Sequence, residues 1–235
     1  MRPETRHNRG VESEELTRWT LIRGAAEGST TQRNAFALRY EGAVRAYLGA
    51  RWKGSPLLDA VDDAVQDVFL ECFKGALERA DPTRKGGFRA YLYGLVRNVA
   101  RRHEERLGKQ REVPAASALE RAAGEHNGQS LSDAFDRAWA RGVVKAARRS
   151  QTGRAAELGA AAMRRVDLLR LRFVEGLPIR DIADRWHEDA AHLHHEYAKA
   201  RREFKAALME VVAFDRPGPK AAIEQECAHL LTLLK

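Results

Sequence analysis

Apolar residues recur along this chain at three- and four-residue intervals, and period-two alternation of β-branched residues is missing, so helices are predicted throughout and strands nowhere. Residues 1–13 are polar and read as a disordered lead. A first helix is predicted over Glu14–Glu27, carrying Leu16, Trp19, Leu21 and Ile22 and ending at Gly28-Ser29. A second runs from Gln32 to about Arg51, with Phe36, Tyr40, Val44, Tyr47 and Leu48 at helical spacing. Gly54-Ser55-Pro56 breaks the chain before a third helix that reaches about Ala80. Asp81-Pro82 and Gly86-Gly87 then bracket a tight loop ahead of a fourth helix, Phe88 to about Lys109.

Pro114–Gln129 has the small, polar, Gly-containing composition of a linker. Ser130 is placed to cap a helix holding Leu131, Phe135, Trp139 and Val143, and a hinge near Gln151-Thr152-Gly153 leads to a helix ending near Glu175-Gly176. Two more helices are predicted near Pro178–Trp186 and Ala190–Val212; Pro217 and Pro219 interrupt, and a short helix closes the chain. The expected fold class is all-α: two small helical domains, 14–113 and 130–213, joined by a flexible linker, 114–129, and followed by a helical tail, 214–235.

Charge sharpens this picture. The formal charge is +8 and the pI about 9.8, which favours a polyanionic partner, although a solvated basic surface would have the same total. Cys72 and Cys227 are too few for a disulfide framework and sit in apolar helical patterns, where a thiol packs as a small hydrophobe. The polar amino terminus is no secretory signal and no run is long enough to span a bilayer, so a cytoplasmic protein without membrane insertion is expected.

Two neighbouring segments carry the chemistry. At 100° per residue, Val61, Val65, Val68, Phe69 and Cys72 share one face of the third helix, while Asp59, Asp63 and Asp67 share the other, flanked by Gln66 and Glu71. No Lys or Arg interrupts Asp59–Glu71, and Leu70 falls in the middle of the acidic arc. An apolar residue ringed by like charges suits docking against a basic protein surface; the plainer account is a solvated face with one stray Leu. Thr83–Arg111 reverses the sign, with nine Lys or Arg against two Glu. Phe88, Leu92, Leu95, Val96 and Val99 form its buried stripe, Arg97 and Arg101 point away, Tyr93 lies at the edge of that arc and Asn98 on its other side. Cations beside an aromatic edge suit a single nucleic-acid strand, against the alternative of a solubilising face with core-edge tyrosines.

Asp62-Asp63-Ala64-Val65-Gln66-Asp67-Val68-Phe69 resembles the D-x-V-Q-E-V-F signature of bacterial RNA polymerase sigma factors, especially the two-domain extracytoplasmic-function (ECF) type. Phe88-Arg89-Ala90-Tyr91-Leu92-Tyr93-Gly94-Leu95-Val96-Arg97-Asn98 is similar to the same family's F-x-x-W-L-x-x-I-A-R-N segment, and the likeness extends over about Ala35–Arg111. The resemblance implies that Asp59, Asp62, Asp63, Gln66, Asp67 and Leu70 bind the clamp of the largest subunit of core RNA polymerase. It implies that Arg89, Tyr93, Arg97, Asn98, Arg101 and Arg102, with the loop Ala80–Gly87, capture and open the minus-ten element of promoter DNA.

The carboxyl half is similar to the family's fourth conserved region. Leu168–Phe173 looks like its L-x-x-L-R-F-type helix, and Gly176-Leu177-Pro178-Ile179-Arg180-Asp181-Ile182-Ala183 is close to its E-G-L-s-y-x-E-I-A. This implies a helix-turn-helix in the second domain, with Ala183 at the small helix–helix contact and Ile179, Ile182 and Leu193 in its core. The helix from about Ala190 would enter the major groove at the minus-thirty-five element, contacting it through His192, His194, His195, Lys199 and Arg202. His187 stands where the turn usually has Gly, Glu196 where the family usually places a cation, and Arg101-Arg102 where many members have an Asp.

Only His192 and His195 of the four histidines His187, His192, His194 and His195 share a helical face, so no metal and no cofactor are expected. No catalytic motif appears, so an enzyme is not expected either. In the tail, Ile223, Cys227, Leu230, Leu231 and Leu234 form an apolar stripe. It either packs on the second domain or serves as a regulatory latch or a contact for a second protein. An anti-sigma factor or another regulator is a further candidate partner of the chain. The function expected is that of a sigma factor binding core polymerase and directing promoter recognition and melting. The alternative is a helical module that binds polymerase or a regulator without reading DNA.

Overall fold

The computed structural model describes residue 25 and residues 29–80, 86–110 and 126–235. The predicted helix Glu14–Glu27 lies outside these residues except for Ala25, as do most of the loop Ala80–Gly87 and the linker Pro114–Gln129. The described residues form eight α-helices and no strand, an all-α fold. None of these helices is long and apolar enough to cross a membrane. The chain divides into two compact units, residues 1–142 with 213–235, and residues 143–212.

In the first unit, α1 spans Thr30–Arg51 and begins where the Ser29 hydroxyl accepts a hydrogen bond from the Gln32 amide. Ser55 accepts from Leu57 in the same way at the head of a 3₁₀ turn, Pro56–Ala60, that leads into α2, Val61–Glu71. The third predicted helix, expected to run on to Ala80, breaks here. A π turn over Cys72–Ala76 contains Gly75 at φ 101°, a left-handed backbone that a side chain would strain, and a short 3₁₀ turn, Leu77–Arg79, follows. Next come α3, Gly87–Gln110, and α4, His126–Leu158.

Two expectations for α4 fail. The helix already begins inside the predicted linker, so Ser130 lies within it and caps nothing. The hinge at Gln151–Gly153 is absent: Gln151 is buried, its amide donates to the Ala200 carbonyl at 3.3 Å, and the break falls at Gly159.

Phe36 sits at the centre of the first unit, edge-on to Tyr40, Phe69, Phe73 and Phe88 with ring centroids 4.7–6.1 Å apart. The α2 stripe Val61, Val65, Val68, Phe69 and Cys72 is buried, as are Phe88, Leu92, Val96 and Val99 of α3. Trp139 of α4 stacks on Tyr40 at 5.2 Å, so the beginning of α4 completes this core rather than opening a separate domain.

The carboxyl-terminal helix α8, Lys220–Thr232, also belongs to the first unit. The expectation that it packs on the second domain is thereby corrected: Cys227 and Leu230 are buried in the first unit, while Leu231 and Leu234 remain exposed.

The second unit holds α5, Ala160–Phe173, α6, Ile179–Trp186, and most of α7, Ala190–Asp215. Leu168, Leu171, Ile179, Ile182, Ala183 and Leu193 form its core cluster, with Leu177, Trp186, Ala190 and Tyr197 packed against them. His187 ends α6 in the left-handed region at φ 54°, and the Asp189 carboxylate caps α7 by accepting from the His192 amide at 2.8 Å.

Candidate functional site

The outer face of α2 has two halves with different electrostatics. Asp59, Asp63 and Gln66 are exposed, and Leu70 is 49% exposed despite its size. The other half is not the purely anionic surface that the spacing predicts, because neighbouring helices supply arginines and a histidine that the local pattern cannot reveal. Asp67 lies 2.8 Å from His103 and 3.7 Å from Arg106, Glu71 accepts from Arg102 at 3.1 Å, and Asp62 pairs with Arg45. Thus Asp67 and Arg102, assigned from the sequence to different partners, are engaged by the boundary between α2 and α3. Asp59, Asp63, Gln66 and Leu70 form what is left of the predicted docking set. Leu58, 47% exposed at the head of α2, carries no charge and went unnoticed in the sequence.

The outer face of α3 is also divided. Arg97, Asn98 and Arg101 are exposed; Arg101 pairs only loosely along its own helix, 3.5 Å from Glu105. Arg89 and Tyr93, by contrast, are occupied. The Arg89 guanidinium lies 3.4 Å from Asp136 of α4 and 3.6 Å from Glu226 of α8, and its buried Nη1 has no hydrogen-bond partner among the described residues. Burial pushes the Asp136 carboxyl up, against the opposing pull of Arg89. The Tyr93 ring is edge-on to Tyr47 at 5.4 Å and to Phe135 at 5.3 Å, with the Arg97 guanidinium 6.0 Å from its centroid. Asp136, Glu226 and Phe135 could not be associated with this face from sequence, since each lies 42 or more positions from Arg89 and Tyr93.

Glu104 supports the inner side of α3. Its carboxylate accepts from Arg51 Nε and Nη2 at 2.6 and 2.8 Å and from the indole N–H of Trp52 at 2.9 Å. Arg39 Nη2 and the Tyr40 hydroxyl donate to Asp215 at 3.0 and 2.7 Å, tying the carboxyl-terminal segment to α1. Burial, with the Asp215 charge beside it, pushes the Tyr40 hydroxyl well above its ordinary value.

In the second unit His192, His194, His195, Lys199 and Arg202 of α7 are all exposed. At 100° per residue His192, His195, Lys199 and Arg202 fall on one arc opposite Leu193 and Ala200, whereas His194 lies on the far flank. Glu196 does not join that arc. It turns toward Arg165, a buried cation that it meets at 3.2 Å and that Glu203 meets at 2.8 Å. The misplaced anion of the sequence pattern is therefore the counter-charge of an arginine from α5.

Residues 36–110, the stretch from the centre of α1 to the end of α3, match the family model described as Sigma-70 region 2. The match covers 75 of the 235 residues and takes in both divided faces, with no part of the second unit. No curated protein and no solved structure matches the chain.

Proposed function

We propose that this chain is a sigma factor, a non-enzymatic protein of the cytoplasm that binds core RNA polymerase and directs recognition and opening of promoter DNA. The observation that carries the proposal is the Sigma-70 region 2 match over residues 36–110, together with the surface found there. An exposed acidic and apolar patch (Asp59, Asp63, Gln66, Leu70) stands on α2, and exposed cations (Arg97, Arg101) stand on the adjoining α3. Such a patch suits a basic protein surface, because charge complementarity steers docking and the apolar side chain gains from exclusion of water. The α3 cations suit phosphates.

The finer reading takes the chain as an ECF-type factor, with α6 and α7 as a helix-turn-helix. The arc of His192, His195, Lys199 and Arg202 then faces the minus-thirty-five element. The pairing of Glu196 and Glu203 with Arg165 supports this, since it draws both anions that flank the arc toward a buried counter-charge. A second reading, a polymerase-binding module that does not read DNA, is favoured by one observation: Arg89 and Tyr93 are already engaged within the chain.

Asp59→Arg combined with Asp63→Arg tests polymerase docking without disturbing the Asp67–His103 contact. The folded double variant is expected to lose co-purification with core polymerase; undiminished binding removes the assignment. Permanganate reactivity of promoter thymines with reconstituted holoenzyme then separates the two readings, because only a promoter-reading factor opens the duplex.

A further inference from the structure

Arg89 and Tyr93 lie on the face that, on the sigma-factor reading, meets the opened strand, yet both are covered by parts of the chain outside residues 36–110. We propose that α8, together with the first turns of α4, is an internal competitor for that face. Asp136 and Glu226 stand where strand phosphates would stand, and Phe135 stands where an unpaired base would stack. The inference rests on the reading above for what the face binds.

Three features make the cover displaceable rather than permanent. First, its grip on Arg89 is loose: contacts of 3.4 and 3.6 Å exceed the 2.7–2.9 Å typical of charge-assisted hydrogen bonds, and the buried Nη1 has no hydrogen bond among the described residues. The guanidinium has lost water without being saturated, so a phosphate presenting two oxygens to its fork forms a better partner. Second, Glu226 also accepts from Arg216 at 2.7 Å, within its own segment, and so keeps a counter-charge on leaving Arg89. Third, the segment has a fixed end and a weakly held end. Asp215 is 6% exposed and holds Arg39 and Tyr40, with the Arg39 guanidinium also over the Phe214 ring at 4.6 Å. Beyond Pro217-Gly218-Pro219, α8 buries only Cys227 and Leu230 of its apolar stripe. A helix with few buried contacts belongs to the low-stability end of a structure. On this proposal the carboxyl terminus swings about Asp215, uncovering Cys227 and Leu230 while α1–α3 stay folded.

The test uses the full chain and a fluorescent single-stranded oligonucleotide. Glu226→Gln is expected to raise its affinity about three- to tenfold at 0.1 M salt, the range for losing one close competing charge. Amide exchange across Lys220–Thr232 should accelerate in that variant, and equally in the wild-type protein once the oligonucleotide is added, while Thr30–Arg51 stays protected. Glu78→Gln removes one exposed carboxylate elsewhere and should leave α8 exchange unchanged. The proposal is overturned if folded Glu226→Gln matches wild type in both affinity and exchange. It is also overturned if the oligonucleotide leaves wild-type α8 exchange unchanged or slows it, a measurement that needs no variant. Co-purification with core polymerase reads the underlying proposal separately. Its loss alongside oligonucleotide-driven release of α8 removes the sigma reading and keeps the competitor. Its presence without release removes the competitor alone.

Discussion

Single residues in this protein act through partners far away in sequence, and Glu104 is the sharpest case. On a helical wheel it is one more charge on a crowded face, yet it accepts from both Arg51 and the fully buried Trp52. Glu104→Ala leaves an indole N–H and a partly buried guanidinium without their acceptor. Its expected cost is about 2–4 kcal/mol in urea-monitored unfolding, with Glu104→Gln costing less because one acceptor oxygen remains. A loss below about 0.5 kcal/mol would mean that water replaces the carboxylate there. Glu196 illustrates the same limit on sequence reasoning from the other side. The family resemblance puts it where a cation is usual, but Arg165, 31 residues earlier, determines where it points. Periodicity reports a side chain's direction from its own helix, never the charge that the neighbouring helix brings to meet it.

At the scale of elements, helices with strong apolar stripes were legible, and α1, α3 and α6 fall within about two residues of their predicted bounds. The interruptions were not. Gln151-Thr152-Gly153 looked like a hinge from composition, but burial of Gln151 and its bond to Ala200 carry the helix through. Lys74-Gly75 breaks a helix whose hydrophobic pattern continues past it. The end of α6 gives a direct test of local backbone cost. His187 holds a left-handed conformation that Gly adopts freely, so His187→Gly is expected to stabilise the second unit by about 0.5–1 kcal/mol in chemical denaturation. No gain would indicate that the unfolded-state entropy added by glycine offsets the relief of strain. The destination of α8 was equally hidden. An amphipathic stripe states that a helix needs a partner, and only the Asp215 and Glu226 contacts reveal which one.

The pH dependence of stability belongs to the whole molecule, and it follows from the buried tyrosines. Tyr40, Tyr47 and Tyr91 all have hydroxyls raised above the ordinary value of 10.0, chiefly by burial. The folded chain then keeps protons that the unfolded chain releases above about pH 10. Their contribution is thus complete below that pH and declines as pH rises toward the folded values. Each such tyrosine adds a slope of up to about 1.4 kcal/mol per pH unit. Tyr40→Phe should lower stability at neutral pH, since Asp215 loses a donor, and should flatten the decline between pH 10 and 11. Denaturant titrations across pH 8.5–11 read both effects, and an unchanged alkaline slope would exclude Tyr40 as a contributor.

The close approach of Gly87 to the carboxyl-terminal segment has a consequence for how this chain can evolve. A Cβ at position 87 would stand 3.2 Å from the Asp215 carbonyl oxygen and against the Arg216 side chain, on a backbone with φ of 56°. Because Asp215 is held by two hydrogen bonds, a methyl group there acts as a wedge under the anchor rather than as a local defect. One base change in a glycine codon suffices to make alanine. The lineage therefore always has a single-step mutation at hand that loosens its own terminus, and selection for keeping that terminus seated adds to the backbone's own preference in holding the glycine in place.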